Sequence, residues 1–287
     1  MTASYPGAMD TRPAGLVLAR TPRLFGIEPF YMELLGGIEG ALAEVDRAVM
    51  LQVVADSTAE LATYRRWAAD RTVAAVVVVN LVEGDPRIDL LRSLGLPAAA
   101  LAPASVQLPV ARVTVDGASA MREAVHELVA LGHRRVARVS GPAALVHTRE
   151  RDEAFAQACA AAGVEHVVAV ADYTEEGGAE AAAALLARDP RPTALVFDND
   201  VMAVAGARVA KERGLDVPRD VSILAWDDSA LCRLASPPLS AMSFDVDALG
   251  RLVAAVVLEL LERGQAADRA AVEHRFLPRG STGPAPV

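Results

Sequence analysis

Short apolar runs alternate with longer stretches whose apolar residues recur at helical spacing, and the alternation persists along nearly the whole chain. The short runs fall at residues 16–19, 48–54, 74–79, 98–101, 136–139, 167–170, 194–197 and 221–225, and each reads as a buried strand. Between them, residues 30–45, 59–69, 118–131, 149–162, 175–187 and 201–213 read as helices, with Gly163 and Gly214 placed as C-terminal stops. This rhythm predicts parallel βαβ units with right-handed crossovers and helices on both sheet faces, an α/β doubly wound fold.

Residues 113–155 read as strand, helix, strand, loop, helix. Val113 to Val115 is a β-branched run, and Asp116 can cap the next helix by accepting a hydrogen bond from its free N–H groups. Val125, Leu128, Val129 and Leu131 keep helical spacing, Gly132 supplies a left-handed end, and the basic His133-Arg134-Arg135 suits the negative terminus. The pattern sets two sheets in sequence, one before about Val110 and one after about Arg112, with no Gly/Ser linker between them. So direct a crossing suits a hinge between two lobes. Further on, Pro237-Pro238-Leu239 leads into Met242-Ser243-Phe244, a long helix over 246–263 and a strand over 271–277.

A length of 287 residues and a hydrophobic fraction of 53% supply material for two cores. The formal charge of -9 argues against nucleic acid held on this surface, because phosphate contacts need clustered Lys or Arg. Arg65-Arg66 starts no such cluster: Trp67 follows at once and Asp70 lies a turn further, as on a solvated helix face. Cys159 and Cys232 form neither a CxxC nor a ligand set, so they read as buried structural thiols, and no metal or cofactor is expected. No run is long and apolar enough to span a bilayer, and MTASYPGAMDTRP lacks the basic start and apolar core of a leader, so a cytoplasmic location is expected.

Several segments together resemble the effector-binding core of the LacI/GalR transcription regulators: the 113–155 stretch, Phe30-Tyr31-Met32-Glu33-Leu34 with Gly37-Ile38-Glu39, Asp198-Asn199-Asp200-Val201-Met202-Ala203, Leu224-Ala225-Trp226-Asp227-Asp228 and Arg279-Gly280-Ser281-Thr282. The resemblance covers the chain from about Ala14 to Thr282. It implies two doubly wound lobes of the periplasmic sugar-binding type with a ligand cleft between them. The first lobe would take residues 14–112 and 243–266 and the second 113–242 and 267–280, after a disordered segment 1–13 and before a tail 281–287. Three crossings follow from that division. The resemblance also implies a homodimer, with the helix at 30–45 one candidate surface, and operator binding only through a helix-turn-helix headpiece, for which thirteen residues ahead of the first lobe leave no room.

In open α/β sheets ligands bind beyond the carboxyl ends of strands, so site residues are sought there. The resemblance places Arg151 on the first turn of the helix after Ser140-Gly141-Pro142, where a guanidinium grips vicinal hydroxyls or a carboxylate. Without the resemblance an exposed arginine balanced by Glu150, Asp152 or Glu153 is the better reading. Asn199 and Asp200 follow a strand, where one can cap the next helix and the other face the cleft; the resemblance puts the cleft-facing amide at Asn199. Asp227 is expected to accept ligand hydroxyls, and Asp228 is not. Tyr173 has two readings, a ring against the ligand's apolar face or ordinary packing beside a capping Asp172, and Phe244 is a similar case in the crossing segment. Residues 18–30 run longer than the family's short turn and carry Arg20 and Arg23, which either favour an acidic or phosphorylated ligand or are simply solvated. His147 stands where small polar residues are common, and Ala154 replaces a usual glycine.

The resulting expectation is a regulator's sensor domain for a small effector, of carbohydrate class. A stand-alone sugar binder of similar fold is the alternative. An exported transport protein would need a leader. An enzyme finds little support, since GxGxxG, Walker, GxSxG and HxxxH patterns are absent and His147 and Asp227 come without a nucleophile.

Overall fold

The computed structural model describes residues 11–19, 28–271 and 273–286. The first lobe opens with β1 (Ala14–Ala19), α1 (Pro29–Ala43), β2 (Val49–Val54), α2 (Ser57–Asp70), β3 (Ala75–Val78), α3 (Pro86–Ser93), β4 (Ala98–Ala102) and β5 (Ala111–Thr114). The chain then crosses to α4 (Gly117–Ala130), β6 (Arg135–Ser140), α5 (Val146–Ala161), β7 (Glu165–Val170) and α6 (Glu175–Leu186). The second lobe continues through β8 (Ala194–Phe197), α7 (Asp200–Glu212), β9 (Ser222–Trp226), α8 (Ala230–Leu234) and β10 (Ser240–Ser243). A second crossing delivers α9 (Val246–Arg263) and β11 (Arg269–Ala270) to the first lobe, and a third brings β12 (Arg275–Leu277) back.

Each lobe is a six-stranded sheet, in the order β11-β5-β4-β3-β1-β2 for the first and β12-β10-β9-β8-β6-β7 for the second. Neighbouring strands are parallel except that β12 runs antiparallel to β10. The expected doubly wound α/β architecture is therefore present in both lobes. Strands such as β3, β6 and β8 are buried on both faces, as continuous apolar runs require, and helices cover each face. Each lobe has two cores. In the first, Leu16, Leu34, Ile38 and Val253 pack on one face and Val17, Tyr64, Trp67 and Leu91 on the other.

Local chemistry explains most boundaries. Asp116 caps α4 by accepting from Ser119 N at 2.8 Å, Asp245 caps α9 through Ala248 N at 2.8 Å, and Gly264 ends α9 in the left-handed region. α1 and α9 meet at glycines: a Cβ on Gly37 would lie 2.3 Å from the Asp247 carbonyl oxygen, and one on Gly250 would lie 2.4 Å from that of Leu34. That closeness ties the returning helix to the first lobe. Arg65 and Arg66 are exposed while Trp67 is buried, and both cysteines are free and buried.

Sheet pairing moves several expected boundaries. The strand at 113–115 was assigned to the second lobe, but β5 pairs with β4, with Ala99 opposite Ala111 and Leu101 opposite Val113, and its side chains enter the first core. The first crossing therefore follows Thr114. Likewise β11 pairs with β5, so Arg269 and Ala270 belong to the first sheet, and the expected strand over 271–277 shortens to β12. Runs this short carry no local mark of which sheet accepts them. The expected tail is packed structure through residue 286: Ser281 is fully buried, His133 Nε2 lies 3.2 Å from Gly283 O, and Ala285 N donates to Leu131 O. The expected disordered segment 1–13 falls mostly outside the described residues, but Arg12 donates to Val73 O and its carbonyl accepts from Arg47. Short α3 and α8 were not predicted; Pro86 sits in the first turn of α3, which a proline tolerates.

Candidate functional site

The carboxyl ends of β3, β4, β8 and β9 converge with the start of α1 and the second crossing on a cleft between the lobes. It encloses about 850 Å³, open solvent included. Arg151, Tyr173, Asn199, Asp227 and Phe244 all line it, together with Tyr31, Asn80, His147, Glu150 and Asp198. Arg20 and Arg23 lie outside the described residues.

Arg151 is on the second turn of α5 rather than the first, because that helix begins at Val146. Leu145 offers no side-chain cap, so nothing local marks this earlier start; the turn is fixed instead from the other lobe, by Val146 N donating to Leu81 O at 2.9 Å. The guanidinium lies over the Trp226 ring, 4.1 Å from its centroid, and its Nη1 is 4.0 Å from Asp198 Oδ2. Its Nε is buried without a hydrogen-bond partner among the described residues.

Asp198 is committed elsewhere. Arg138, wholly buried on β6, donates to Asp198 through Nε at 2.8 Å and Nη2 at 2.6 Å, Gly141 N adds a third bond at 3.1 Å, and Arg138 also pairs with Asp152. Burial alone would push the Asp198 carboxyl up, but Arg138 and Arg151 outweigh it and hold the carboxyl below its ordinary value. Asp198 therefore anchors the loop and leaves Arg151 with capacity to spare.

Asp227 sits in the left-handed region with φ 67°, its N–H donating to Met242 O at 3.0 Å. The residue is half-buried at the cleft, and its carboxyl makes no hydrogen bond among the described residues. Burial first, and then the nearby Asp200 carboxylate, push it up to about 8 against the opposing pull of Arg151. Asp228 binds Arg279 through both oxygens at 2.7 Å.

Of the two jobs left open between Asn199 and Asp200, Asn199 takes the cap, and although it borders the cleft both of its amide atoms are spent within the protein. Its Oδ1 caps α7 by accepting from Met202 N at 2.9 Å, and its Nδ2 donates to Tyr173 O at 3.1 Å. Asp200 accepts from Val201 N and is buried. Tyr173 fits the packing reading and also borders the cleft. The residue is 7% exposed and packs in the core, yet it borders the cleft, and its hydroxyl shares hydrogen bonds with His147 Nε2 at 3.0 Å and Thr148 Oγ1 at 3.2 Å. Gly141 makes room for the ring, since a Cβ there would fall 2.1 Å from it. Phe244 stacks 4.3 Å from His274 and 6.4 Å from Phe30, measured between centroids.

Sequence reasoning missed Asn80, whose Oδ1 accepts from Tyr31 OH at 2.8 Å, although it directly follows a strand and the same strand-end rule applies to it. Trp226 and Glu150 were missed as well; the latter accepts from Ser105 Oγ across the lobes at 3.0 Å. Among the described residues no cluster of His, Cys, Asp or Glu could hold a metal ion, and no helix is long and apolar enough to cross a membrane.

Two doubly wound lobes joined by three crossings around a cleft define a periplasmic-binding-protein-like ligand-binding core. A family model for a periplasmic binding protein-like domain matches residues 125–282. The HTH-type transcriptional regulator MalR of Streptomyces coelicolor is 34% identical over 98% of this chain and 84% of its own length. A LacI family transcriptional regulator from Bifidobacterium animalis has a solved structure that is 36% identical, with a TM-score of 0.87, over 96% of this chain and 99% of that one. The complex of the transcriptional regulator CelR with cellobiose gives a TM-score of 0.85 at 27% identity, over 94% of this chain and 85% of that one. The chain belongs to the LacI family of transcriptional regulators and carries its effector-binding core.

Proposed function

We propose that the chain senses a small carbohydrate effector in the interlobe cleft, and that binding biases the lobes toward one arrangement and so controls operator binding by a homodimer in the cytoplasm, without catalysis. The carrying observation is the pair of groups facing the cleft: Arg151, whose buried Nε has no hydrogen-bond partner among the described residues, and Asp227, whose carboxyl makes no hydrogen bond among them. Buried polar groups are normally satisfied, so a ligand that donates and accepts hydrogen bonds fits the gap. Sugar hydroxyls do both, and the Tyr173 and Phe244 rings suit their C–H faces. The cellobiose found with CelR supports the ligand class. Asn199 contributes chiefly by holding Tyr173 in place.

A thermal-shift panel of mono- and disaccharides, sugar phosphates and nucleobases tests the reading, since a ligand bound only by the folded state raises the melting temperature. A sugar-induced shift abolished by Arg151→Ala is expected. A shift confined to nucleobases, or one unchanged by Arg151→Ala, would overturn it.

A further inference from the structure

We propose that Glu150 is a specificity-determining residue of the cleft, whose carboxyl keeps the space around Arg151 negative, so that the effector is a neutral or cationic sugar and acidic sugars are refused. The inference rests on the sugar reading above and adds the ligand's charge to it. Four carboxyls line the cleft, those of Glu28, Glu150, Asp198 and Asp227, and Arg151 is the only arginine or lysine among the described lining residues. Arg138 matches Asp198 from behind, which leaves one guanidinium among the other three. Glu150 stands where the cleft opens into a larger hollow of about 1280 Å³, open solvent included, and the two spaces share Leu81, Val146 and Glu150. That hollow brings no compensating charge: Glu83, Asp85, Asp89 and Glu153 line it, and its Arg149 pairs with Glu83.

Glu150 Oε1 accepts from Ser105 Oγ at 3.0 Å, while Oε2 is buried without a hydrogen-bond partner among the described residues. Burial first, with Asp116 at the start of α4 adding to it, holds the carboxyl above its ordinary value against the Ser105 bond, Arg151 and Arg122. A neutral hydroxyl entering the cleft leaves that balance undisturbed. An ammonium draws Glu150 toward its ionised form and gains an attraction that water screens poorly in so enclosed a space. A carboxylate meets like charge instead, and it binds only as Glu150 takes up a proton. Repulsion of this kind sets specificity without touching the favoured ligand.

The test is calorimetric titration of the whole chain with glucose, glucuronate and 6-amino-6-deoxyglucose, which differ only in the charge carried at one carbon. Native protein is compared with Glu150→Gln, which keeps the shape and the acceptor for Ser105 but removes the charge, and with Ser105→Ala, which removes the bond and keeps the charge. At pH 7.5 glucuronate is expected to bind the native protein about tenfold more weakly than glucose, and the amino sugar at least as tightly as glucose. Glu150→Gln should close most of the glucuronate gap, and Ser105→Ala should leave it within about twofold. Lowering the pH to 5.5 protonates Glu150, so the gap should narrow in the native protein and narrow less in Glu150→Gln. Glu28, His147, Asp198 and Asp227 face the same cleft and are present in both proteins, so the difference between the two profiles reports Glu150. Glucuronate binding as tightly as glucose, or a gap that Glu150→Gln leaves untouched or Ser105→Ala closes equally, would overturn the charge filter alone. Failure of all three sugars to bind the native protein would overturn the sugar reading and the filter with it.

Discussion

Replacing Asp227 by asparagine should stabilise the protein, and only where the pH is high. Burial and the Asp200 carboxylate raise the Asp227 carboxyl to about 8, with Arg151 opposing, whereas in the unfolded chain it titrates at about 3.9. Between those values the native state keeps a proton that the unfolded state has released. The native state binds more protons, so stability falls as pH rises through this window and the full penalty stands above its upper end. A shift of about four units corresponds to about 6 kcal/mol at ~1.4 kcal/mol per unit. Asp227 retains contact with water in the cleft, which screens it, so about 2 kcal/mol is the expected cost. Asparagine keeps the shape, accepts the same backbone strain and removes the ionisation. Scanning fluorimetry at pH 8.5 should then show Asp227→Asn melting roughly 4–8 °C above the native protein, with the gap closing near pH 4. An offset that is constant with pH, or a variant less stable at pH 8.5, would refute the argument. The same substitution should weaken the proposed effector's binding, so that function and stability move in opposite directions.

Arg138→Met leaves the fully buried Asp198 carboxylate with Gly141 N and a distant Arg151, and should cost about 3–5 kcal/mol in urea unfolding; a loss below about 1 kcal/mol would show that Arg151 swings in to replace it. Gly37→Ala places a methyl 2.3 Å from the Asp247 carbonyl oxygen, so α1 and α9 must separate, and a loss of about 1–3 kcal/mol is expected on the same assay. Tyr173→Phe removes the hydroxyl's bonds to His147 and Thr148 but keeps the ring on Gly141, so a loss of about 1 kcal/mol is expected with sugar stacking retained.

The lobes were legible because each βαβ unit is a local pattern: apolar runs gave the strands, and Asp116 and Gly264 mark helix ends by their own chemistry. What the pattern could not carry was pairing. β5 and β11 are too short to declare a sheet, and the tail from Ser281 reads as loose chain until His133 and Leu131 receive it. The site divides the same way. The strand-end rule and the family resemblance reached five residues that line one cleft. They did not reach Arg138, which sits inside an apolar strand and is visible only once Asp198 arrives from a neighbouring strand's end. Nor did they reach Trp226 as the platform for Arg151, since the two are 75 positions apart and meet only through the packing of α5 on β9.

These arrangements bear on how a sensor of this kind would switch. Each lobe has its own buried cores, and the described residues meet across the cleft through Val146 N to Leu81 O, the Val82–Leu145 bridge, Ser105 to Glu150, the exposed Arg149–Glu83 pair and the packing of Val146 on a first-lobe core. Exposed ion pairs contribute about 0–1 kcal/mol, so the Arg149–Glu83 pair adds little to holding the lobes together. Arg151 and Asp227, both on the second lobe, keep unsatisfied groups toward that gap, while Tyr31 and Asn80 face it from the first. A ligand that satisfies both sides adds free energy to one arrangement and none to the other, which is the differential affinity a population shift requires. On the proposed function, the cost of leaving Arg151 and Asp227 without partners would drive the response, and restoring a protein partner to either should blunt it.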